Sequence, residues 1–415
     1  MRCRHLPPLA VTVVVLVVAL HQTLSAQDWN QWRGPGRDGV VPSFTAPKTW
    51  PETLKPVWKA TVGAGYSSPV VVGGKVYIHA RQEEREVVSC IDLKTGKLLW
   101  EDRYDAPYTV NRAAARHGPG PKSTPVIANG RLYTFGITEI LSCYGLATGK
   151  LVWRKDFSAQ FKKTSPDFGT AMSPVVDRGF LIAHVGTAGE GALTAFDAAT
   201  GEVKWQWTGD GPAYASPIVV ELGGARQVVT QSQANIVSVA AATGALLWKI
   251  PFTTMAVQNI VTPLVYKDLL IFSGLNKGVM AVRVAKTGDE WTTEQVWQNT
   301  DVAMYMNSPI LNGELLFGLS HRNRGQFFCL DAATGKTIWI GEPQQGDNAA
   351  MLMAGRLILS LTSDADLIVS NVTATGVDLI RKYRVAESAT YAHPVVAGRG
   401  VLIKDVSTLA LWSFE

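Results

Sequence analysis

A Thr-Gly pair followed, four residues after the glycine, by a large apolar side chain recurs along this 415-residue chain. It stands at Thr95-Gly96 with Trp100, Thr148-Gly149 with Trp153 and Thr200-Gly201 with Trp205. It continues at Thr243-Gly244 with Trp248, Thr334-Gly335 with Trp339 and Thr375-Gly376 with Ile380. Thr287-Gly288 is irregular: Trp291 comes early and an insertion delays the strand to Trp297. A repeat of about 43–53 residues means modules that each bury a face against the next.

A second mark opens each module. A hydroxyl or imidazole residue precedes a proline and an apolar run at Ser68-Pro69, Thr124-Pro125, Ser173-Pro174, Ser216-Pro217, Thr262-Pro263, Ser308-Pro309 and His393-Pro394. Residues 351–357 (MLMAGRL) fill one further position in register. Each module reads as two strands around a glycine turn, a third strand, a D-x-x-T-G turn and a fourth strand. The turn glycine supplies a positive φ. Asp92, Asp197 and Asp331 are assigned to bonding their own turn backbone, not to catalysis.

Eight modules begin this way, and the last stops at residues 409–414 without a fourth strand. Residues 56–62, with Trp58, form a fourth-type strand with no module before them. The two ends complete each other. The expected fold is all-β: an eight-bladed β-propeller of four-stranded blades over residues 56–415, closed by pairing the N-terminal strand with the C-terminal blade. Closure removes sheet edges that an open array would expose. A tryptophan between neighbouring blades buries about 150–250 Å², so these residues are core.

Arg2 and Arg4 precede the apolar run LAVTVVVLVVAL at residues 9–20, and HQTLSA follows at residues 21–26. The pattern predicts a secretory signal peptide cut near Ala26, hence a periplasmic or extracellular protein. The run is short for a bilayer span; an uncleaved anchor is the alternative. Residues 27–55 form an N-terminal extension, in which Trp29, Trp32 and Arg33 are expected to pack across the ring as a clasp. Charged residues make up 18% and the formal charge is +5, with two of the arginines in the signal. Such a balance excludes disorder and gives no clustered basic stripe for nucleic acid. No other segment is apolar enough to span a membrane, and a monomer is expected.

The repeat at residues 89–100 (SCIDLKTGKLLW) resembles the pyrroloquinoline-quinone (PQQ)-like repeat family of eight-bladed propellers. The lead-in at residues 28–39 (DWNQWRGPGRDG) resembles one found on secreted bacterial PQQ-like propellers of unassigned role. The family holds quinoprotein alcohol dehydrogenases, the propeller lipoprotein of the outer-membrane barrel-assembly machine, and uncharacterised members, so the fold does not give the function. For the dehydrogenases the resemblance implies PQQ with calcium, a vicinal Cys-Cys pair and a catalytic Asp. This chain has no Cys-Cys. Cys90, Cys143 and Cys329 each lie six residues before a repeat glycine, a slot filled elsewhere by Ala195, Ser238, Val282 and Ser370. They are small buried hydrophobes. No nucleophile, general base or metal set is assigned, and no cofactor is expected.

In this family the entrances to the inner strands share one face. That face is expected to gather Tyr66 and Ser67, Arg116, His117 and Lys122, Tyr214, Gln258 and Asn259. Tyr305 and Asn307, Asp347 and Asn348, and Tyr391 and His393 complete the set, with His79, His184 and His321 approaching from the loops between second and third strands. Polar and aromatic groups converging on a funnel mark a binding site; the alternative is that they satisfy strand ends and channel water. The widest insertion, residues 101–122, turns basic in its later half; it reads first as solvated loop decoration, with an anionic ligand or acidic partner as the alternative. The sequence therefore points to a non-catalytic scaffold for a protein or peptide partner, with a PQQ-dependent oxidoreductase or a glycan- or polyanion-binding propeller as alternatives.

Overall fold

The computed structural model describes residues 27–161 and 166–415; the expected signal cleavage lies outside them. Eight sheets, each with four hydrogen-bonded blade strands, follow one another around a ring; numbered in chain order, blades 2 to 7 span residues 126–156, 175–207, 218–251, 264–299, 310–340 and 349–384. Blade 1 consists of Val70–Val72, Lys75–Gln82, Arg85–Asp92 and Leu98–Asp105, from the axis outwards. Blade 8 has Val395–Ala397, Gly400–Lys404 and Thr408–Ser413, and its outer strand is Lys55–Thr61 from the other end of the chain. That strand runs antiparallel to Thr408–Ser413, with Lys55 opposite Ser413 and Thr61 opposite Thr408. The ring closes as the incomplete last module requires. Blade 7 gains a fifth strand, Val40–Val41, parallel to Ala349–Ala354.

The two elements of the Thr-Gly-Trp repeat meet between blades, not within one. Trp58 of blade 8 lies on Gly96 of blade 1, where a Cβ would come 2.7 Å from its ring. Trp100 lies on Gly149, Trp153 on Gly201, Trp205 on Gly244 and Trp297 on Gly335 in the same way. The indole N–H then donates to a backbone carbonyl of the next blade: Trp58 to Leu93 at 2.8 Å, Trp205 to Ala241 at 3.1 Å and Trp297 to Ala332 at 3.2 Å. Glycine serves twice here, by its φ of +70° at Gly96 and by leaving room for the indole. Asp92, Asp197 and Asp331 accept turn N–H groups at 2.8–3.1 Å, so their role is local.

A second inter-blade contact runs around the axis. Each hydroxyl before a proline accepts the N–H of its counterpart one blade back: Ser68 N–H to Thr124, Thr124 to Ser173, Ser173 to Ser216, Ser216 to Thr262 and Thr262 to Ser308, at 2.9–3.2 Å. His393 N–H donates to Ser68 at 2.8 Å and joins blade 8 to blade 1. Blade 7, whose inner strand begins at Ala349, has no hydroxyl here and breaks the circuit. The Ser/Thr-Pro step thus pairs a satisfied inter-blade hydrogen bond with a proline whose missing N–H needs no partner.

Buried carboxyls add further ties. Glu86 of blade 1 accepts the Ile137 N–H of blade 2 at 2.8 Å and the Tyr104 hydroxyl at 2.6 Å, with His79 Nε2 3.3 Å away. Burial opposes ionisation of Glu86, but His79 and these hydrogen bonds outweigh it and hold the carboxyl below its usual range. Glu139 of blade 2 accepts the Gly186 N–H of blade 3 at 3.0 Å and the Thr170 hydroxyl. Burial pushes Glu139 up to about 8 against those hydrogen bonds. The folded state then holds a proton that the unfolded chain releases near 4.5, so stability falls as pH rises between those values. The slope is at most about 1.4 kcal/mol per pH unit. Glu139→Gln is expected to flatten this fall in urea-unfolding midpoints between pH 5 and 8; parallel profiles for the two proteins would refute the assignment.

Candidate functional site: a blind well on the ring axis

Residues 29–39 lie across one end of the channel. Trp29 exchanges backbone hydrogen bonds with Val71 of blade 1, and the Asn30 carbonyl accepts the Ile127 N–H of blade 2 at 2.8 Å. Arg37 donates to the Ser173 and Pro174 carbonyls of blade 3 at 2.9 and 3.0 Å. Arg33 donates to the Pro309 carbonyl of blade 6, and the Gly39 carbonyl accepts the Met353 N–H of blade 7. Both guanidinium groups are buried. Burial lowers Arg33 to about 10, opposed by Asp38, and lowers Arg37 to about 9, helped by Arg33. They sit 5.5 and 5.7 Å from the Trp32 ring centroid, and His393 meets that ring edge-on at 5.5 Å.

Trp32 is the floor of a well of about 280 Å³. The inner-strand entrances make its wall, with Ser68, Thr124, Ser216 and Thr262 from the hydroxyl circuit and Tyr66, Tyr214, Tyr305 and Tyr391 above them. The loop after blade 1 carries the short 3-10 helix Arg112–His117, capped by the Asn111 side chain on Ala113 N–H at 3.0 Å. Ala113, Ala114, Arg116 and His117 of this helix line the well. Arg116 reaches over to Asp347, leading into blade 7, at 3.2 Å. The rings of Tyr66, His117 and Tyr391 cluster with centroids 4.7–6.2 Å apart. Burial, then Lys122 and Arg116, hold His117 near 4, so it is neutral at pH 7. Burial lowers Lys122 to about 8 while its ammonium donates to the Phe168 carbonyl.

Ten of the fourteen residues expected at this face line the well: Tyr66, Arg116, His117, Lys122, Tyr214, Gln258, Tyr305, Asn348, Tyr391 and His393. Asp347 stands beside it as the partner of Arg116. Three turn away, which corrects the sequence reading. Ser67 is fully buried, its N–H on the Pro121 carbonyl at 2.9 Å. Asn259 is buried and donates to the carbonyls of Ser232, Gln233 and Phe252. Asn307 is bound to the Leu319 backbone at 2.8 and 3.3 Å. The histidines from the other loops also stay out: His79 is locked against Tyr104 and Glu86, His184 against the Asp210 carbonyl, and His321 stands behind Tyr305 with ring centroids 6.5 Å apart. The sequence reading missed Trp32 as a floor and the hydroxyls as wall. The hydroxyl before each proline was the available signal for the latter.

A calcium-held quinone needs a set of oxygen ligands rich in carboxylates. The well wall carries Arg116 and Lys122 and no Asp, Glu or Cys. Among the described residues no group of three or more His, Cys, Asp or Glu is placed to hold a metal. Cys90, Cys143 and Cys329 are buried and unpaired, and burial raises the thiols of Cys90 and Cys329 to about 11 and 12. The residues present do not fit that cofactor. Among the described residues no helix is long and apolar enough to cross a membrane.

Fold and site together define an eight-bladed propeller with a blind, cationic, tyrosine-ringed axial well. A family model described as outer membrane protein assembly factor BamB matches residues 49–116 and 84–341, and the chain belongs to this PQQ-like repeat family. It is similar to the outer membrane protein assembly factor BamB of Shewanella oneidensis, 25% identical over 62% of this chain and 65% of that one. It is also similar to the quinohemoprotein alcohol dehydrogenase of Comamonas testosteroni, 31% identical over 34% of this chain and 19% of that one. The matched stretches therefore span less than two thirds of either relative. Among solved structures, the quinohemoprotein alcohol dehydrogenase ADHIIG of Pseudomonas putida HK5 aligns over 93% of this chain and 80% of that one, with TM-score 0.69 at 16% identity. BamB of Moraxella catarrhalis aligns over 88% and 98%, with TM-score 0.62 at 14% identity. These structural likenesses bear on fold alone.

Proposed function

We propose that this protein is an exported, non-catalytic scaffold that binds a protein or peptide partner at the mouth of the axial well. The observation that carries the reading is the composition of that wall: two cations, tyrosines, hydroxyls and two histidines, with no carboxylate or thiol. Such a surface can recognise and position a ligand, and it lacks the carboxylate oxygens that a calcium-held quinone would need. The BamB relatives, outer membrane protein assembly factors by name, support it; the dehydrogenase relatives support the rival, a quinone-dependent oxidoreductase. Export with cleavage near Ala26, a monomeric state and the absence of a bound cofactor belong to the same proposal.

The two readings separate in one pair of measurements. A photo-crosslinking side chain at Gln258 or Tyr305 is expected to capture envelope polypeptides, while added PQQ and calcium give neither calorimetric heat nor alcohol-dependent dye reduction. Dye reduction that depends on PQQ would overturn the scaffold reading.

A further inference from the structure

The well has one way in. Residues 29–39 cross its far end and are hydrogen-bonded to five blades, and the Trp32 ring closes the floor. An extended chain that enters cannot pass through, so it must end inside. The charges decide which end. Arg116 and Lys122 line the wall, and the Arg33 and Arg37 guanidiniums lie against the underside of Trp32, both buried. Asp347 is engaged by Arg116 outside the well. Asp364 and Asp405 lie close enough to Tyr391 and Tyr66 to raise those hydroxyls, but neither lines it. A chain's ammonium end would meet cations and no carboxylate; its carboxylate end meets donors.

Beneath the tyrosine ring the space of about 280 Å³ suits one side chain and its terminal carboxylate.

We propose that the well is an end-stop for a partner peptide: it takes the C-terminal residue, with the free carboxylate held by Arg116 and Lys122 and the last side chain against Trp32 and the tyrosines. The proposal rests on the scaffold reading and names the part of the partner that the well accepts. Arg116 is already paired with Asp347 across the mouth, at 3.2 Å with both side chains half-exposed. An exposed ion pair is weak enough to be exchanged for an incoming carboxylate. Asp347 therefore competes with the ligand for Arg116.

The test uses a labelled pentapeptide pool, randomised in its last two residues, made both as free acids and as C-terminal amides, with fluorescence anisotropy as readout. The free-acid pool is expected to bind about tenfold or more tighter than the amides, the loss that one charge-assisted hydrogen bond implies. Arg116→Ala, at an exposed position, is expected to erase that preference, and Asp347→Asn to tighten the acids a few-fold. Equal binding of acids and amides, or none by either, would overturn the proposal. So would tighter binding of an oligogalacturonate, which would assign the well to acidic glycans, or equally tight binding of benzoate alone, which would assign it to small carboxylates. If the Gln258 and Tyr305 crosslinks persist while the pool fails, the end-stop falls and the scaffold reading stands; if both fail, both fall.

Discussion

Replacing Lys404 with Met is expected to cost about 1–3 kcal/mol of stability and to loosen the ring at its closure. The Lys404 side chain is buried, and its ammonium donates to the carbonyls of Gly63, Gly65, Asp405 and Val406 at 2.7–3.1 Å. Gly63 and Gly65 follow the closing strand Lys55–Thr61, while Asp405 and Val406 lie between the second and third strands of blade 8. One amine with three N–H donors thus sits among four carbonyls from both ends of the chain, and burial lowers its pKa to about 7. Met keeps the length but removes the donor; the Val406 carbonyl keeps the Gly65 N–H at 3.1 Å, and the loss falls on the carbonyls of Gly63, Gly65 and Asp405, the expensive case for buried polar groups. Urea unfolding gives the total. Hydrogen exchange gives the location: amides of Lys55–Thr61 and Thr408–Ser413 are expected to lose protection before those of blade 4. A stability change below about 1 kcal/mol, with unchanged exchange at that seam, would show that the closure does not depend on this cage.

The second large effect tests the contact between blades. Trp205→Ala is expected to cost about 3–5 kcal/mol, the range for removing a buried aromatic side chain. Gly244→Ala alone is also expected to be destabilising, since its φ is +72° and a Cβ would sit 2.5 Å from the Trp205 ring. In the Trp205→Ala background the steric part disappears and only the backbone strain of about 1–2 kcal/mol remains. The two substitutions are thus expected to be non-additive by more than about 1 kcal/mol. Strict additivity in a double-mutant cycle would mean that the indole and the glycine do not determine each other.

The ring was legible because its information is periodic. Eight openings, one missing fourth strand at residues 409–414 and one surplus strand around Trp58 fix both the count and the closure. The partners within the repeat were less legible. The chain writes Gly96 and Trp100 four residues apart, yet Gly96 carries Trp58 and Trp100 lies on Gly149. Spacing along the chain locates residues; it does not say which neighbour completes them.

The same limit explains the site. Position in the repeat placed Tyr66, Tyr214, Tyr305 and Tyr391 at one end of the ring, and they converge there. It could not tell on which side of an extended segment each neighbour points, because that alternates with every residue. Ser67 therefore faces inward while Ser68 and Tyr66 line the well. Trp32 and Arg37 stand before the first blade, and their contacts with blades 8 and 3 leave no local trace in the sequence.

The stopper across the channel has a consequence for how the protein is made. Residues 29–39 precede every blade in the chain, yet their partners include Met353 and the carbonyl of Pro309. A stretch that emerges before every blade can be seated only after late modules have formed. Contacts of such long sequence separation are slow to find. Until they form, Arg33, Arg37 and the strand around Trp58 are left waiting, and that interval is when a nascent molecule of this kind most needs shielding from its neighbours.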